Sequence, residues 1–186
     1  SVWTELKSEG LIALQDWKGA NPQKKVDDQP FWMTGEVFNY FALGMQRVFN
    51  GDGFNVDYYN NGYENLINFD FRFVANQGLE SIFSGYSNLL QNQLGGASVM
   101  NFLANHDTAE VFDINRTRTF EAGTKLLLSP STAQIYYGDE TARTLTPGGG
   151  ASGDATLRSF MNFGDLNNSN SLASLTLLHH QKLGRF

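Results

Sequence analysis

The 186-residue sequence contains no cysteine, which excludes disulfide bonds, thiolate catalysis and zinc sites built on cysteine. Positive charge is also scarce: 13 lysine and arginine residues stand against 19 aspartate and glutamate residues, for a formal net charge of −6. Because nucleic acids and anionic membrane surfaces attract clustered positive charge, we expect neither as the main partner. No apolar run approaches the roughly 20 residues that a membrane-spanning helix needs, so we expect no membrane segment.

What is present indicates an ordinary folded domain. Hydrophobic residues make up 41% of the chain and charged residues 17%, a globular composition rather than a disordered one. The length suits a single domain over residues 1–186. Residues 1–6 have the pattern of a helix already under way, so we expect the numbering to begin inside a longer protein.

Short apolar or β-rich runs recur roughly every 30 to 35 residues, the length of one strand with its covering helix. They are residues 31–34, 66–71, 98–103 and 133–137. None alternates between polar and apolar, which predicts parallel strands buried on both faces. Helical spacing of apolar residues fills the intervening segments, at residues 3–17, 79–94, 120–128 and 172–183.

Two longer stretches, residues 38–65 and 139–170, are predicted to be long loops after the first and fourth strands. Barrel enzymes build their sites from insertions after strand ends. The predicted fold class is therefore α/β: a helix followed by four strand–helix units, or half of a (β/α)₈ TIM barrel. Four strands cannot close such a barrel, which ordinarily needs about 250 residues.

Acidic residues follow three of the predicted strands: Glu36, Asp107 and the pair Asp139-Glu140. Because the strands of a parallel barrel point one way, we expect these carboxylates to gather at one rim. Burial and mutual repulsion raise the pKa of one carboxyl group in such a cluster. One group then serves as a general acid while another stays ionised, as glycoside hydrolysis requires.

Each position also has a simpler structural interpretation. Glu36 alone suits a solvated loop or a helix cap, and His106-Asp107 a local hydrogen-bonded pair or an N-cap. Asp139-Glu140 suits the start of a helix, or a pair with Arg143 or Arg158. The succession of three acidic groups at strand ends, each after apolar residues, is what favours a carboxylate site. The loop that contains Asp52 and Asp57 matches no EF-hand spacing, so we predict a solvated loop there and no metal site.

Four segments, in order, resemble the α-amylase family. Residues 35–38 (Gly-Glu-Val-Phe) resemble the segment around the general acid at the end of the fifth barrel strand. Residues 102–107 (Phe-Leu-Ala-Asn-His-Asp) resemble the F-x-x-N-H-D segment that ends the seventh strand. Residues 135–140 resemble the eighth-strand segment, and residues 158–163 the R-x-x-M-x-W stretch after it. The sequences of residues 31–38 and 58–71 most resemble those of bacterial periplasmic α-amylases.

This resemblance implies the C-terminal half of the catalytic barrel, strands five to eight, of a retaining α-1,4-glucan hydrolase that acts on starch and maltooligosaccharides. Glu36 would protonate the leaving glycosidic oxygen, and Asp107 would hold the sugar hydroxyls and stabilise the oxocarbenium-like transition state. His106 would bind the same sugar, and Asn105 would support that geometry. The resemblance also implies a periplasmic or secreted location, no cofactor in this segment, and Ca²⁺ in the full enzyme.

One family element is absent from the sequence. The nucleophile is an aspartate in a G-x-R-x-D segment, and no such segment occurs here. Asp70 matches a structural Asn-Phe-Asp stretch instead. The chain alone is therefore predicted to be inactive, with the N-terminal half-barrel or a second copy as its partner. A non-catalytic glucan-binding half-barrel and a self-associating half-barrel remain alternatives; glucan affinity unchanged by Glu36→Gln would favour the former, and the mass in solution tests the latter.

Overall fold

The computed structural model describes residues 1–145 and 157–186, and its framework is a parallel sheet of four short strands. The described residues contain six strands, of which the second and third form a separate hairpin. They are β1 (Thr34–Gly35), β2 (Phe49–Gly51), β3 (Phe54–Val56), β4 (Asn65–Asn68), β5 (Ser98–Asn101) and β6 (Thr132–Ala133). The parallel sheet has the order β1-β4-β5-β6, with Thr34 opposite Asn65 and Asn101 opposite Ala133. Sequential parallel strands separated by helices are half of a (β/α)₈ barrel, as predicted.

The four predicted strands exist, but their predicted ends are wrong. The second ends at Asn68 rather than residue 71, and the fourth at Ala133 rather than residue 137. Apolar residues continue past β4 and β5 because they pack by side chain there: Phe69 and Phe102 meet edge to face, with ring centroids 5.4 Å apart. An apolar run therefore marks a strand and the packed residues that follow it alike.

The helices are α1 (Val2–Ala20), α2 (Ala42–Met45), α3 (Phe71–Val74), α4 (Leu79–Asn88), α5 (Thr119–Leu128) and α6 (Leu172–Leu183). The four longest, α1, α4, α5 and α6, confirm the four predicted helices. The α4 segment continues as a π turn, Leu89–Gln93, and ends at Gly95 and Gly96, which both have positive φ. Ser171 caps α6, because its hydroxyl oxygen accepts the Ser174 amide at 3.1 Å.

The prediction that residues 38–65 form a long loop is wrong. They contain α2, the antiparallel hairpin of β2 and β3, and a 3₁₀ turn at Tyr59–Asn61. Asp52 and Gly53, both at positive φ, form the hairpin turn, and an Asp-Gly pair between apolar residues is a strong hairpin signal. Asp57 accepts a hydrogen bond from Arg47 at 2.7 Å. Of the second predicted loop, residues 146–156 with Pro147–Gly150 lie outside the described residues.

The core lies between the sheet and α3 to α5. Its main buried members are Leu66, Phe71, Ile82, Tyr86, Leu89, Leu94, Val99 and Leu126. By contrast, no residue of α1 is buried, and Trp3, Leu6 and Trp17 remain 45–48% exposed on the face predicted to be apolar. The part of α1 nearest its start touches residues 59–64 through Trp3 and Tyr63, whose ring centroids lie 5.7 Å apart. No helix in the described residues is long and apolar enough to cross a membrane.

A row of buried asparagines, which no sequence pattern predicted, crosses the sheet. Asn65, Asn68 and Asn101 are fully buried. The Asn68 amide donates to Asn101 at 2.7 Å, and the Asn101 amide donates to the Ser131 hydroxyl at 2.6 Å. Because an unpaired buried amide is costly, these bonds favour one strand register over its neighbours. They also fix the level at which each strand ends and its loop begins.

Lys125 of α5 is a buried cation that holds the end of α3. Its ammonium donates to the Ala75 carbonyl at 2.6 Å and the Gln77 carbonyl at 2.8 Å, and lies 2.7 Å from Glu121. We expect Lys125→Met to lower the free energy of unfolding by about 2 kcal/mol, since two carbonyls lose their donor. Urea unfolding measures this, with exposed Lys182→Met as the matched control. Equal effects of the two substitutions would show that these bonds contribute nothing.

Candidate active site

Glu36 follows β1 directly, as predicted. Gly35, which precedes it, is buried against Tyr63 and Leu66, and a Cβ at Gly35 would approach the Tyr63 ring to 2.9 Å. Glu36 itself is exposed. Within residues 1–145 and 157–186, no hydrogen bond or ion pair engages its carboxylate. The strand end is therefore tightly packed, and it presents a carboxyl group that has no partner among the described residues.

Asn105, His106 and Asp107 lie on a tight turn beyond β5. The buried residues Phe102, Leu103 and Ala104 carry the chain from the strand to this turn. The Asn105 side-chain oxygen accepts the backbone amides of Asp107 at 3.1 Å and Thr108 at 3.0 Å. Such an Asx turn fixes the direction of the chain. It brings His106 Nε2 to 3.0 Å from Asp107 Oδ1, so the local pair proposed from the sequence is present.

Arg158 completes this cluster from far along the chain. Its Nη2 donates to Asp107 Oδ1 at 3.2 Å, and its Nε donates to the His106 carbonyl at 3.3 Å. The alternative that Arg158 pairs with Asp139-Glu140 is therefore wrong. The cluster of His106, Asp107 and Arg158 is half-exposed, with 54%, 31% and 49% of the respective side chains accessible.

Asp139 lies elsewhere, in a buried setting. Its Oδ1 is 2.8 Å from Arg116 Nη2, and it lines a cavity of about 10 Å³ together with Leu126 and His180. Glu140 accepts the Gly138 amide at 2.8 Å. No helix starts at this pair, and neither carboxylate makes an ion pair with Arg143; the partner of Asp139 is Arg116. Asp139 faces the interior near α5 and α6, whereas Asp107 is partly exposed, so the three acidic positions do not form one cluster.

Burial raises the pKa of Asp139 to about 6 from its ordinary value of 3.8, while Arg116 acts in the opposite direction. A carboxyl group whose pKa is higher in the folded state stabilises the fold below pH 4, and that stability is lost as the pH rises through 6. We expect wild type to lose about 2–3 kcal/mol relative to Asp139→Asn between about pH 4 and pH 7.

Urea unfolding of both proteins across this pH range measures the difference. Asp16→Asn, a change at an exposed carboxylate of α1, is the control and should leave the difference from wild type independent of pH. A wild type that gains stability relative to Asp139→Asn as the pH rises would show that Arg116 outweighs burial.

Asp70, which the sequence matches to a structural Asn-Phe-Asp stretch, holds neighbouring helices together. Its two oxygens accept the Tyr86 hydroxyl at 2.8 Å and the Leu43 amide at 3.1 Å, which joins α2, α3 and α4. Burial is the largest influence on this carboxyl group and raises its pKa. Its oxygens are engaged inside the protein, which agrees with the structural role predicted for the Asn-Phe-Asp stretch.

The topology places Glu36 and the Asn105-His106-Asp107 turn at the same edge of the sheet. Both follow the carboxyl ends of parallel strands, and only β4 separates β1 from β5. Neighbouring strands lie about 4.8 Å apart, so the two strand ends are separated by about 10 Å. Among the described residues, no group of three or more His, Cys, Asp or Glu side chains is arranged to hold a metal ion.

No protein-family model matches the chain. The chain is, however, 34% identical over 187 aligned positions, its whole length, to the periplasmic alpha-amylase of Escherichia coli strain K12. It spans 25% of the length of that relative. Similarity along the entire chain and a half-barrel of parallel strands agree with each other, and both are consistent with a C-terminal fragment of the α-amylase family.

Proposed function

We propose that this chain supplies the proton-donating and sugar-holding residues of a retaining α-1,4-glucan hydrolase that acts on starch and maltooligosaccharides in the periplasm or outside the cell. The observation that carries the proposal is the placement of Glu36 and the Asn105-His106-Asp107 turn at one edge of the sheet, two strands apart. The similarity to a periplasmic α-amylase along the whole chain supports it.

Glu36 is the proposed general acid. Its carboxyl group is exposed, and no lysine or arginine of the described residues contacts it, so a substrate can approach it. Cleavage of a glycosidic bond requires a proton on the leaving oxygen as the bond lengthens. The rigid packing of Gly35 holds the donor at the strand end, and the exposed carboxyl group can reach a sugar that lies across the edge.

Asp107 and His106 are the proposed sugar-holding pair. A carboxylate accepts hydrogen bonds from sugar hydroxyls, and its charge stabilises the positive charge that develops on the ring in the transition state. The Asn105 side chain sets the turn that presents both residues. A hydroxyl that accepts from His106 and donates to Asp107 would be held from two sides, as the flattening ring requires.

The nucleophile lies outside these 186 residues in this proposal. A retaining mechanism needs two carboxyl groups about 5–5.5 Å apart, and the segment that carries the second in the family does not occur here. The remaining barrel strands would supply it. The chain alone should therefore bind a glucan without hydrolysing it.

Calorimetric titration of the chain with maltoheptaose tests the binding half of the proposal. We expect binding that Asp107→Asn weakens about 10-fold, because a charged acceptor is lost, and that Asp165→Asn, at an exposed carboxylate elsewhere, leaves unchanged. A starch assay on the same preparation should show no turnover. Equal affinity of wild type and Asp107→Asn would show that Asp107 does not hold the sugar. Turnover by the chain alone would show that the nucleophile does not lie outside it.

A further inference from the structure

Arg158 is anchored on both sides before its side chain reaches Asp107. The carbonyl of Leu157 accepts from the Tyr136 hydroxyl at 3.0 Å and from Arg143 Nη2 at 3.2 Å. The carbonyl of Ser159 accepts from the Tyr137 hydroxyl at 3.0 Å and from Arg143 Nη1 at 3.1 Å. The backbone that carries Arg158 is therefore held to the residues that follow β6.

The Arg158 guanidinium grips the Asp107 turn at two points. Nη2 donates to Asp107 Oδ1, and Nε donates to the carbonyl of His106. A planar guanidinium can make both contacts at once, because its donors lie in a fixed fork, whereas a lysine offers a single charged nitrogen. The side chain thus fixes the backbone of the turn and the rotation of its carboxylate together.

Both contacts on the Asp107 carboxylate fall on the same oxygen. Oδ1 is 3.2 Å from Arg158 Nη2 and 3.0 Å from His106 Nε2. Among the hydrogen bonds between residues 1–145 and 157–186, one reaches Oδ1 and none reaches Oδ2. A carboxylate held by one oxygen has the other available in a defined direction, which is the arrangement needed to receive a sugar hydroxyl.

We propose that Arg158 is a positioning residue that acts through Asp107: it holds Oδ1 and so presents Oδ2 to the hydroxyls of an α-glucan. This inference rests on the proposed function, since it assigns a task to the sugar-holding carboxylate. The scaffold of Tyr136, Tyr137 and Arg143 keeps the guanidinium in place, so the carboxylate is oriented before the sugar arrives.

A double-mutant cycle on maltoheptaose affinity tests the inference, with Arg158→Gln, Asp107→Asn, both together, and Arg158→Lys. The pair is half-exposed, so we expect Arg158→Gln to weaken binding about 3- to 5-fold, and Arg158→Lys to restore part of the loss. With asparagine at position 107, Arg158→Gln should have less than about a 2-fold effect, because the residue through which it acts is already altered. Equal losses in both backgrounds, or no loss in wild type, would overturn the inference.

A measurement without glucan separates this inference from the proposed function. The Arg158 Nε–H signal in a ¹H–¹⁵N spectrum of the free chain should shift and exchange faster with water in Asp107→Asn, because the grip on the turn is loosened. A signal whose position and exchange rate are unchanged in Asp107→Asn would show that Arg158 does not hold the Asp107 turn. If the signal changes in Asp107→Asn but the chain binds no maltoheptaose, Arg158 holds the Asp107 turn and Asp107 does not hold a glucan. Thermal unfolding of each variant confirms that it is folded.

Discussion

Glu36→Gln should lower kcat by about 10²- to 10⁴-fold in an enzyme whose barrel contains this chain, the range that general acid catalysis contributes. Glutamine keeps the shape of glutamate but has no proton to give. The measurement needs the remaining strands, so we would exchange the matching stretch of the E. coli periplasmic alpha-amylase for this chain and follow maltoheptaose hydrolysis. KM should change little, because the proposed role of Glu36 is on the leaving oxygen and the proposed holding of the sugar falls to Asp107.

The substrate provides the decisive control for this prediction. Fluoride departs from α-maltosyl fluoride without prior protonation, so the same Glu36→Gln enzyme should lose far less activity on that substrate than on maltoheptaose. Glu9→Gln, at an exposed position of α1, should be silent on both. Equal losses on the two substrates would show that Glu36 has another role, and an inactive exchanged enzyme with Glu36 intact would count against the proposed function itself.

The sequence predicted the helices well because their signal is local. Ile82 and Tyr86, four residues apart on α4, are both buried, as the helical spacing requires. Strand ends were predicted poorly, because Phe69 and Phe102 continue the apolar pattern while packing on each other rather than pairing by backbone. Asp52-Gly53 is a usable signal for the β2–β3 hairpin, although the prediction for this segment is a solvated loop.

The residues of the candidate site were predictable from the sequence, but their partners were not. A glutamate one residue after a strand and an Asn-His-Asp turn after another are visible in the sequence, because strand direction alone assigns them an edge. The partners of these residues were not visible. Arg158 meets Asp107 across 51 residues, and Arg116 meets Asp139 from a left-handed backbone position with a φ of 55°. No periodic pattern encodes such a pair, and 13 lysine and arginine residues offered many alternatives.

Arg143→Met should lower the free energy of unfolding by about 4 kcal/mol, the largest structural effect we expect from one substitution. Only 1% of Arg143 is exposed, and its guanidinium donates to the carbonyls of Tyr137, Leu157 and Ser159. Removal of the guanidinium leaves the Tyr137 carbonyl without its donor, at a cost of about 1–3 kcal/mol. The carbonyls of Leu157 and Ser159 keep a tyrosine hydroxyl each but lose a charged hydrogen bond, at about 1 kcal/mol each. Urea unfolding of the whole chain measures the difference.

A substitution at Gly138 tests the same prediction independently. Its φ of 92° suits glycine, and a Cβ there would come within 2.6 Å of Arg143 Cβ, so Gly138→Ala should displace the arginine without removing it. Exposed Arg185→Met is the matched control and should change stability little. Because the same guanidinium fixes the carbonyls on either side of Arg158, both Arg143→Met and Gly138→Ala should also weaken maltoheptaose binding when Asp107 is intact. Loss of stability without loss of binding would mean that Arg158 reaches Asp107 without this scaffold.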